Sequence, residues 1–296
     1  MTCRSQPPSW PKQMSMQFQR IGPRGSEIPV VIIDGIAYDL RPITADINPS
    51  FLAGDPLARV KRDLPMLPRV ENANTMRIGT PVANAGAIYC VGMNYAKHAL
   101  EGGALPPEHI IVFLKPPHTL AGPDDDFSME TGMMKVDWEV ELAVVVGKKA
   151  WQLGDDDDPM DHIFGFTIAN DLSDRYWQLE VSGGQWSKGK SGPGFLPLGP
   201  SIVPREFHDP SNVRLQSWVN DEARQDSYTS DMIFSVSRVI RDLSQFTVLE
   251  PGDIILTGTP EGVALSGRFP YLATGDVVSL SIEGLGSQKH RIVTGS

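Results

Sequence analysis

Asp137-Trp138-Glu139-Val140-Glu141-Leu142-Ala143-Val144-Val145-Val146-Gly147 sets the architecture of this chain. The run is rich in β-branched residues and stops at glycine, the composition of a strand. Its second half, Leu142 to Val146, is apolar on both faces, which puts it in the interior of a sheet. Its first half alternates, and period-2 geometry places Asp137, Glu139 and Glu141 on one face. Carboxylates ~6–7 Å apart on a strand entering a core repel one another, and lost hydration raises the cost. A hard cation such as Mg²⁺, Mn²⁺ or Ca²⁺ resolves the conflict, and so does a half-strand left in solvent.

On either side of this run, short apolar strands alternate with Gly/Pro turns at 87–92, 110–114, 163–170, 196–203, 213–219, 253–257 and 276–283. Helical patterns are fewer, at about 95–101, 172–181 and 232–245. Many strands with few crossover helices predict a mixed-β, α+β roll rather than a doubly wound sheet. Upstream, Met16-Gln17-Phe18, Val30–Ile33 and Ile36–Leu40 read as a small β unit turning at Asp34-Gly35, followed by a weak helix at 55–63. The Pro/Gly/Asn-rich text from Arg77 to Gly86 separates a small N-terminal domain (1–80) from the main domain (81–296).

Composition narrows the function classes. The 296 residues are 41% hydrophobic and 21% charged, as in an ordinary globular chain. Twenty-six Lys+Arg against 36 Asp+Glu leave a net charge of −10, which argues against a nucleic-acid footprint. No apolar run approaches the ~20 residues of a membrane span. Met1–Lys12 is polar and proline-rich, unlike a secretory signal. Two cysteines make no disulfide scaffold. Cys3 and Cys90 read as free thiols of a cytoplasmic protein, Cys90 as a small buried hydrophobe. The six histidines form no metal-ligand pair, which argues against zinc.

Four further segments could carry chemistry. The strand Ile163–Asn170 ends at Asp171, a third carboxylate or simply a helix cap, with Arg175 and Gln178 on one face of the helix expected next. Asn94 reads as the N-cap of a two-turn helix with His98 and Glu101 at i, i+3, either a general base with its orienting acid or an exposed surface pair. Gly184–Ser191 satisfies the P-loop pattern, but Gly192-Pro193-Gly194 cannot open the helix that motif needs, so Lys190 is left as a mobile cation in a turn. Leu256-Thr257-Gly258-Thr259-Pro260 is a strand-to-loop junction with bare amides suited to a ligand oxygen. The acidic runs 124–126 and 155–158 read as solvated loops.

Taken together, these segments resemble the fumarylacetoacetate hydrolase family, from about Ala87 to Gly286. The motifs stand in family order: Gly92-Met93-Asn94-Tyr95 with His98 and Glu101; Asp137–Glu141; Asn170-Asp171 with Ser173; Gln185-Trp186 with Gly189-Lys190-Ser191; Ser230–Phe234; and Leu256–Pro260. Within the family, Gly183–Trp186, Pro270-Tyr271-Leu272 and Ile282–Gly286 resemble the 2,4-diketo-3-deoxy-sugar-acid hydrolase and ureidoglycolate-lyase-like members. One departure is Gly192-Pro193-Gly194-Phe195, where the family carries two polar side chains; altered pocket hydrogen bonding is expected.

The resemblance implies a mixed β-roll catalytic domain, usually homodimeric, with Mg²⁺ or Mn²⁺ on three carboxylates. The ligands fall on Glu139, Glu141 and Asp171, and the acid–base dyad on His98 and Glu101. Lys190 matches the substrate-orienting lysine, Thr259 a contact to substrate carboxylate, and Arg175 and Gln178 positions near metal and substrate. The implied activity is hydrolysis of a C–C bond in an acylpyruvate or other β-diketo acid, a small keto-acid substrate. Oxaloacetate decarboxylation and hydroxymuconate-type isomerisation are the alternatives on the same site.

Overall fold

The structure, a computed structural model, describes residues 14–295; the readings of Cys3 and of Met1–Lys12 lie outside the described residues. The described residues open with a meander of β1 (Met16–Ile21), β2 (Ile28–Ile33) and β3 (Ile36–Asp39). Asp34 and Gly35, at φ 48° and 81°, make the tight turn between the last two. Two short helices follow, α1 (Pro49–Leu52) and α2 (Pro56–Asp63). Each starts on a proline and is capped by the side chain before it, Asn48 or Asp55. They close a core of Phe18, Val31, Leu40, Phe51, Leu57 and Val60.

The rest runs through β4 (Ile88–Gly92), α3 (Ala96–Glu101), β5 (Ile111–Lys115), β6 (Leu120–Ala121), β7 (Phe127–Met129), β8 (Val136–Asp137), β9 (Val140–Val146), β10 (Ile163–Asn170) and β11 (Ser173–Asp174). It continues with β12 (Leu196–Pro204), β13 (Arg214–Val219), β14 (Glu222–Tyr228), α4 (Val236–Phe246), β15 (Ile254–Leu256), β16 (Val277–Ile282) and β17 (Gly286–Thr294). Among the described residues, one ten-stranded sheet has the order β3-β2-β1-β12-β10-β9-β15-β4-β5, with β6 beside β12. A five-stranded sheet, β14-β13-β16-β17-β7, packs on it through a core that includes Trp138, Leu142, Phe166, Leu215 and Leu280. Parallel pairs (β15–β4, β12–β6, β17–β7) mix with antiparallel ones, so the fold is the expected mixed-β α+β type. The large sheet crosses residue 80 without a break, because β1 pairs with β12 at Phe18 and Ile202. No helix among the described residues is long and apolar enough to cross a membrane.

Several local expectations are corrected. The strand read over 137–147 is two, β8 and β9, because Asp137 turns aside to take the amides of Ala264 and Leu265. The helix read over 172–181 is the β11 bridge followed by one wide turn at Tyr176–Glu180. Asn94 is not a helix cap. Its amide donates to the Phe234 and Thr257 carbonyls and accepts from the Phe234 N–H, tying three segments together. The 124–126 run is not simply solvated either: Asp125 is gripped by Arg77 at 2.6 Å and Arg24 at 2.8 Å. Burial opposes ionisation there, but the two guanidiniums win and hold that carboxyl down at about 2.

Candidate active site

Cross-strand register assembles the acids. In the β9–β10 pair, Ala169 stands opposite Glu141 and Asn170 opposite Val140, so the next residue, Asp171, comes level with Glu139. The Asp171 N–H donates to the Glu139 carbonyl at 3.0 Å, which fixes that step. Period 2 on both strands then turns Glu139, Glu141 and Asp171 to the same face. Their carboxylate oxygens lie within 4.8 Å of one another, all buried. Asp137, the fourth acid of the motif, is outside this group and is saturated by backbone amides and Arg175.

Cations surround two of the three acids. Lys190 Nζ bridges Glu139 Oε2 at 2.8 Å and Asp171 Oδ2 at 2.6 Å. Lys190 reaches them because Gly189 lets the chain close on the Tyr176–Glu180 turn; a Cβ there would sit 2.4 Å from the Gln178 nitrogen. Arg175 donates to Asp137 at 2.8 Å, Glu139 at 2.7 Å and Gln178 Oε1 at 2.9 Å. Burial pushes the Glu139 carboxyl up, but Lys190 and Arg175 outweigh it and hold it below the usual carboxylate range.

Glu141 differs. It receives the Gly258 N–H at 2.7 Å and has no ion pair among the described residues. Burial first, then the charges of Asp171 and Glu139, push its carboxyl well above the usual range. A buried carboxylate in that position lacks a cation, and three clustered carboxylate oxygens are the donor set of Mg²⁺ or Mn²⁺. The residues fit a divalent ion.

Glu139 and Glu141 line a cavity with about 350 Å³ of free space including its mouth, and the remaining candidates gather at it. His98, on α3, lines it; His98 Nδ1 is 3.2 Å from Glu101 Oε1. Glu101 is anchored in turn by the Gly262 N–H at 2.9 Å. Arg175, Gln178, Lys190 and Thr259 line it too. The Thr259 hydroxyl is already engaged, donating to the Val140 carbonyl and accepting from Gln225. None of Gly192 to Phe195 is among the lining residues; Phe195 packs on Phe127 in the core. Lys190 follows a 3-10 turn at Trp186–Gly189 with no helix after it, so the P-loop pattern is an accident of sequence.

Some participants in the site lie outside the candidate residues of the sequence motifs. Lys115 ends β5, is fully buried, and donates to Asp171 Oδ1 at 2.5 Å and the Leu172 carbonyl at 3.2 Å. Its signal was a lysine closing an apolar strand before Pro116-Pro117. Asn170 supports the ligand backbone by accepting the Glu139 N–H at 3.0 Å and donating to His290 Nε2. Val91, Gly92, Met93, Phe113 and Trp186 form the apolar part of the wall.

Comparison with known proteins agrees with this geometry. The family model for the fumarylacetoacetate hydrolase C-terminal domain matches residues 87–293. A Burkholderia multivorans protein whose name gives only a general hydrolase assignment is 40% identical over 92% of this chain and 97% of its own length. The mitochondrial oxaloacetate tautomerase of Xenopus laevis is 40% identical over 72% of this chain and 67% of its own. Among solved structures, the fumarylacetoacetate hydrolase of Exiguobacterium antarcticum superposes with a TM-score of 0.81 at 32% identity, covering 95% of this chain and 100% of that one. A 5-carboxymethyl-2-hydroxymuconate delta-isomerase of Mycobacterium smegmatis gives 0.74 at 32%, covering 95% and 99%. The maleylpyruvate hydrolase of Sphingobium sp. SYK-6, solved with Mn(II) and pyruvate, gives 0.77 at 26%, covering 95% and 100%. The match over most of the chain, on a fold and acidic triad of this kind, makes the protein a member of the fumarylacetoacetate hydrolase family.

Proposed function

We propose that this protein hydrolyses a C–C bond in an acylpyruvate-type β-diketo acid, using a divalent metal. One observation carries the reading: Glu139, Glu141, His98 and Lys190 line one cavity, with Asp171 grouped with the two glutamates and Glu101 beside His98. Glu139, Glu141 and Asp171 would hold Mg²⁺ or Mn²⁺, which when bound stabilises negative charge on the keto-acid end. Glu101, held by Gly262, accepts from His98 Nδ1–H and leaves Nε2 free to take a proton from water. Hydroxide adds to the distal carbonyl, the C–C bond breaks, and its electron pair passes to a pyruvate enolate. His98 returns the proton, and the products are a carboxylate and pyruvate. In this reading Lys190 donates to the enolate oxygen, while Arg175, tied to Asp137 and Glu139, keeps the ligand wall in place.

A second reading, oxaloacetate keto–enol conversion or decarboxylation or a hydroxymuconate-type isomerisation, draws on the named activities of the frog relative and the mycobacterial neighbour. Assaying Mn²⁺-loaded protein on acetylpyruvate, oxaloacetate and a hydroxymuconate side by side separates the two. Preference for acetylpyruvate, lost in His98→Ala with metal binding retained, supports hydrolysis; preference for either of the others overturns it. The reading carries with it a small N-terminal unit to residue 80, a homodimer and a cytoplasmic location. Limited proteolysis, light scattering and cell fractionation check these.

A further inference from the structure

The cavity wall changes character with distance from the acids. Lys190 Nζ, in contact with Glu139 and Asp171, lies 5.0 Å from the centre of the Phe113 ring. Phe113 meets Trp186 edge-on at 5.7 Å. Trp186 then rests on the backbone of Gly92, where even a Cβ would come within 2.3 Å of its ring. Val91 and Met93 complete this side. Beyond it, Phe113 and Trp186 also wall an open groove with Ile111, Val112 and Leu114 on one side and the uncharged Gly184, Gln185 and Ser187 on the other, and Leu114 is half exposed.

The basic groups of the described lining are all committed. Arg175 is shared among Asp137, Glu139 and Gln178, Lys190 between Glu139 and Asp171, and His98 is paired with Glu101. None of the apolar wall residues can compensate an anion, and aromatic faces present their negative quadrupole to it. A second carboxylate held against the Met93, Phe113 and Trp186 wall would give up water and receive no counter-charge. An aliphatic or aryl tail would leave water for a matching surface.

We propose that Met93, Phe113 and Trp186 form a tail subsite that selects keto acids with one carboxylate and a short apolar tail against dicarboxylic ones. The inference rests on the keto-acid reading of the site and adds to it the class of substrate. It sets this chain apart from a preference for diacids such as maleylpyruvate.

The test uses two uncleavable ligands of equal length, 2-oxohexanoate and 2-oxohexanedioate, titrated calorimetrically into Mn²⁺-loaded protein, with oxalate as a head without a tail. The expected result is that the monoacid binds at least about tenfold more tightly. In Trp186→Arg the ratio of the two constants falls by about tenfold or reverses, because the new cation meets the distal carboxylate. Met93→Lys takes its place if the arginine variant does not fold. Equal or tighter binding of the diacid overturns the proposal, as does an unchanged ratio in the folded variant. Oxalate binding without binding of either longer acid also overturns it. Failure of oxalate itself to bind sinks the keto-acid reading instead, and the subsite with it.

Discussion

His290 supplies a prediction that joins stability to the site. The side chain is buried on β17, and burial pushes its imidazole down to about 4. Asn170 Oδ1 takes the Glu139 N–H, so the Asn170 amide must present its NH₂ to His290 Nε2, 2.8 Å away. Nε2 is therefore the bare nitrogen, and protonating it turns an acceptor into a clashing donor. In the unfolded chain a histidine titrates near 6.5. As pH falls, the unfolded chain takes the proton first. The contribution is complete above pH 6.5, is lost between 6.5 and 4, and is constant below. From pH 7.5 to 5 the loss is roughly 2 kcal/mol. Urea unfolding of wild type and His290→Gln across that range isolates the contribution of this imidazole, since the other titrating groups are common to both. The stability difference between the two proteins should shrink by about 2 kcal/mol toward pH 5. Parallel curves would show that this buried ring does not resist protonation, and would refute the hydrogen-bond assignment at Asn170.

Asp171→Asn leaves the ammonium of Lys115 buried without its carboxylate, and urea midpoints should report a loss of about 3–5 kcal/mol; undiminished stability would contradict the ion-pair geometry. Because Glu141 holds its proton more firmly than an ordinary carboxyl, metal binding must expel that proton. The apparent Mn²⁺ affinity should rise with pH by up to about tenfold per unit while the group titrates, and a pH-independent Kd would be the contrary result. Gly92→Ala places a methyl group against Trp186, so tryptophan emission should shift and discrimination between the matched mono- and dicarboxylic ligands should fall. Unchanged emission with unchanged discrimination would mean that the ring does not rest where the structure puts it.

What could be read from the sequence was what short-range rules govern. The apolar text of β9 and β10 marked two central strands, and period 2 paired Glu139 with Glu141. Asp171 was visible only as an acid at a strand end; its place beside Glu139 comes from antiparallel register, a long-range fact that no local pattern encodes. Lys115 was hidden for the same reason, since only folding puts its ammonium against Asp171. Strands β14 and β17 went unread because they are polar: one face of each is solvated, and the alternation Glu222-Ala223-Arg224-Gln225 lacks β-branched residues. Asn94 misled because a good cap residue is equally a good bridge, and the Phe234 and Thr257 carbonyls gained by bridging are 140 and 163 residues away in sequence.

The charges around the triad explain why its acids do not form an ordinary ion-pair cluster. Asp137, Glu139, Glu141 and Asp171 face Lys115, Arg175 and Lys190, so one negative charge is unmatched, and it falls on Glu141. A cluster selected for stability alone would have lost that carboxylate, because burying an unpaired charge costs more than an apolar neighbour of the same size. Keeping it makes sense if a dication completes the set. The balance then turns from one negative to one positive, which suits a monoanionic ligand head. The apolar wall of Phe113 and Trp186 offers no charge for a second anion, so the electrostatics of the head and the chemistry of the tail subsite point to the same kind of molecule.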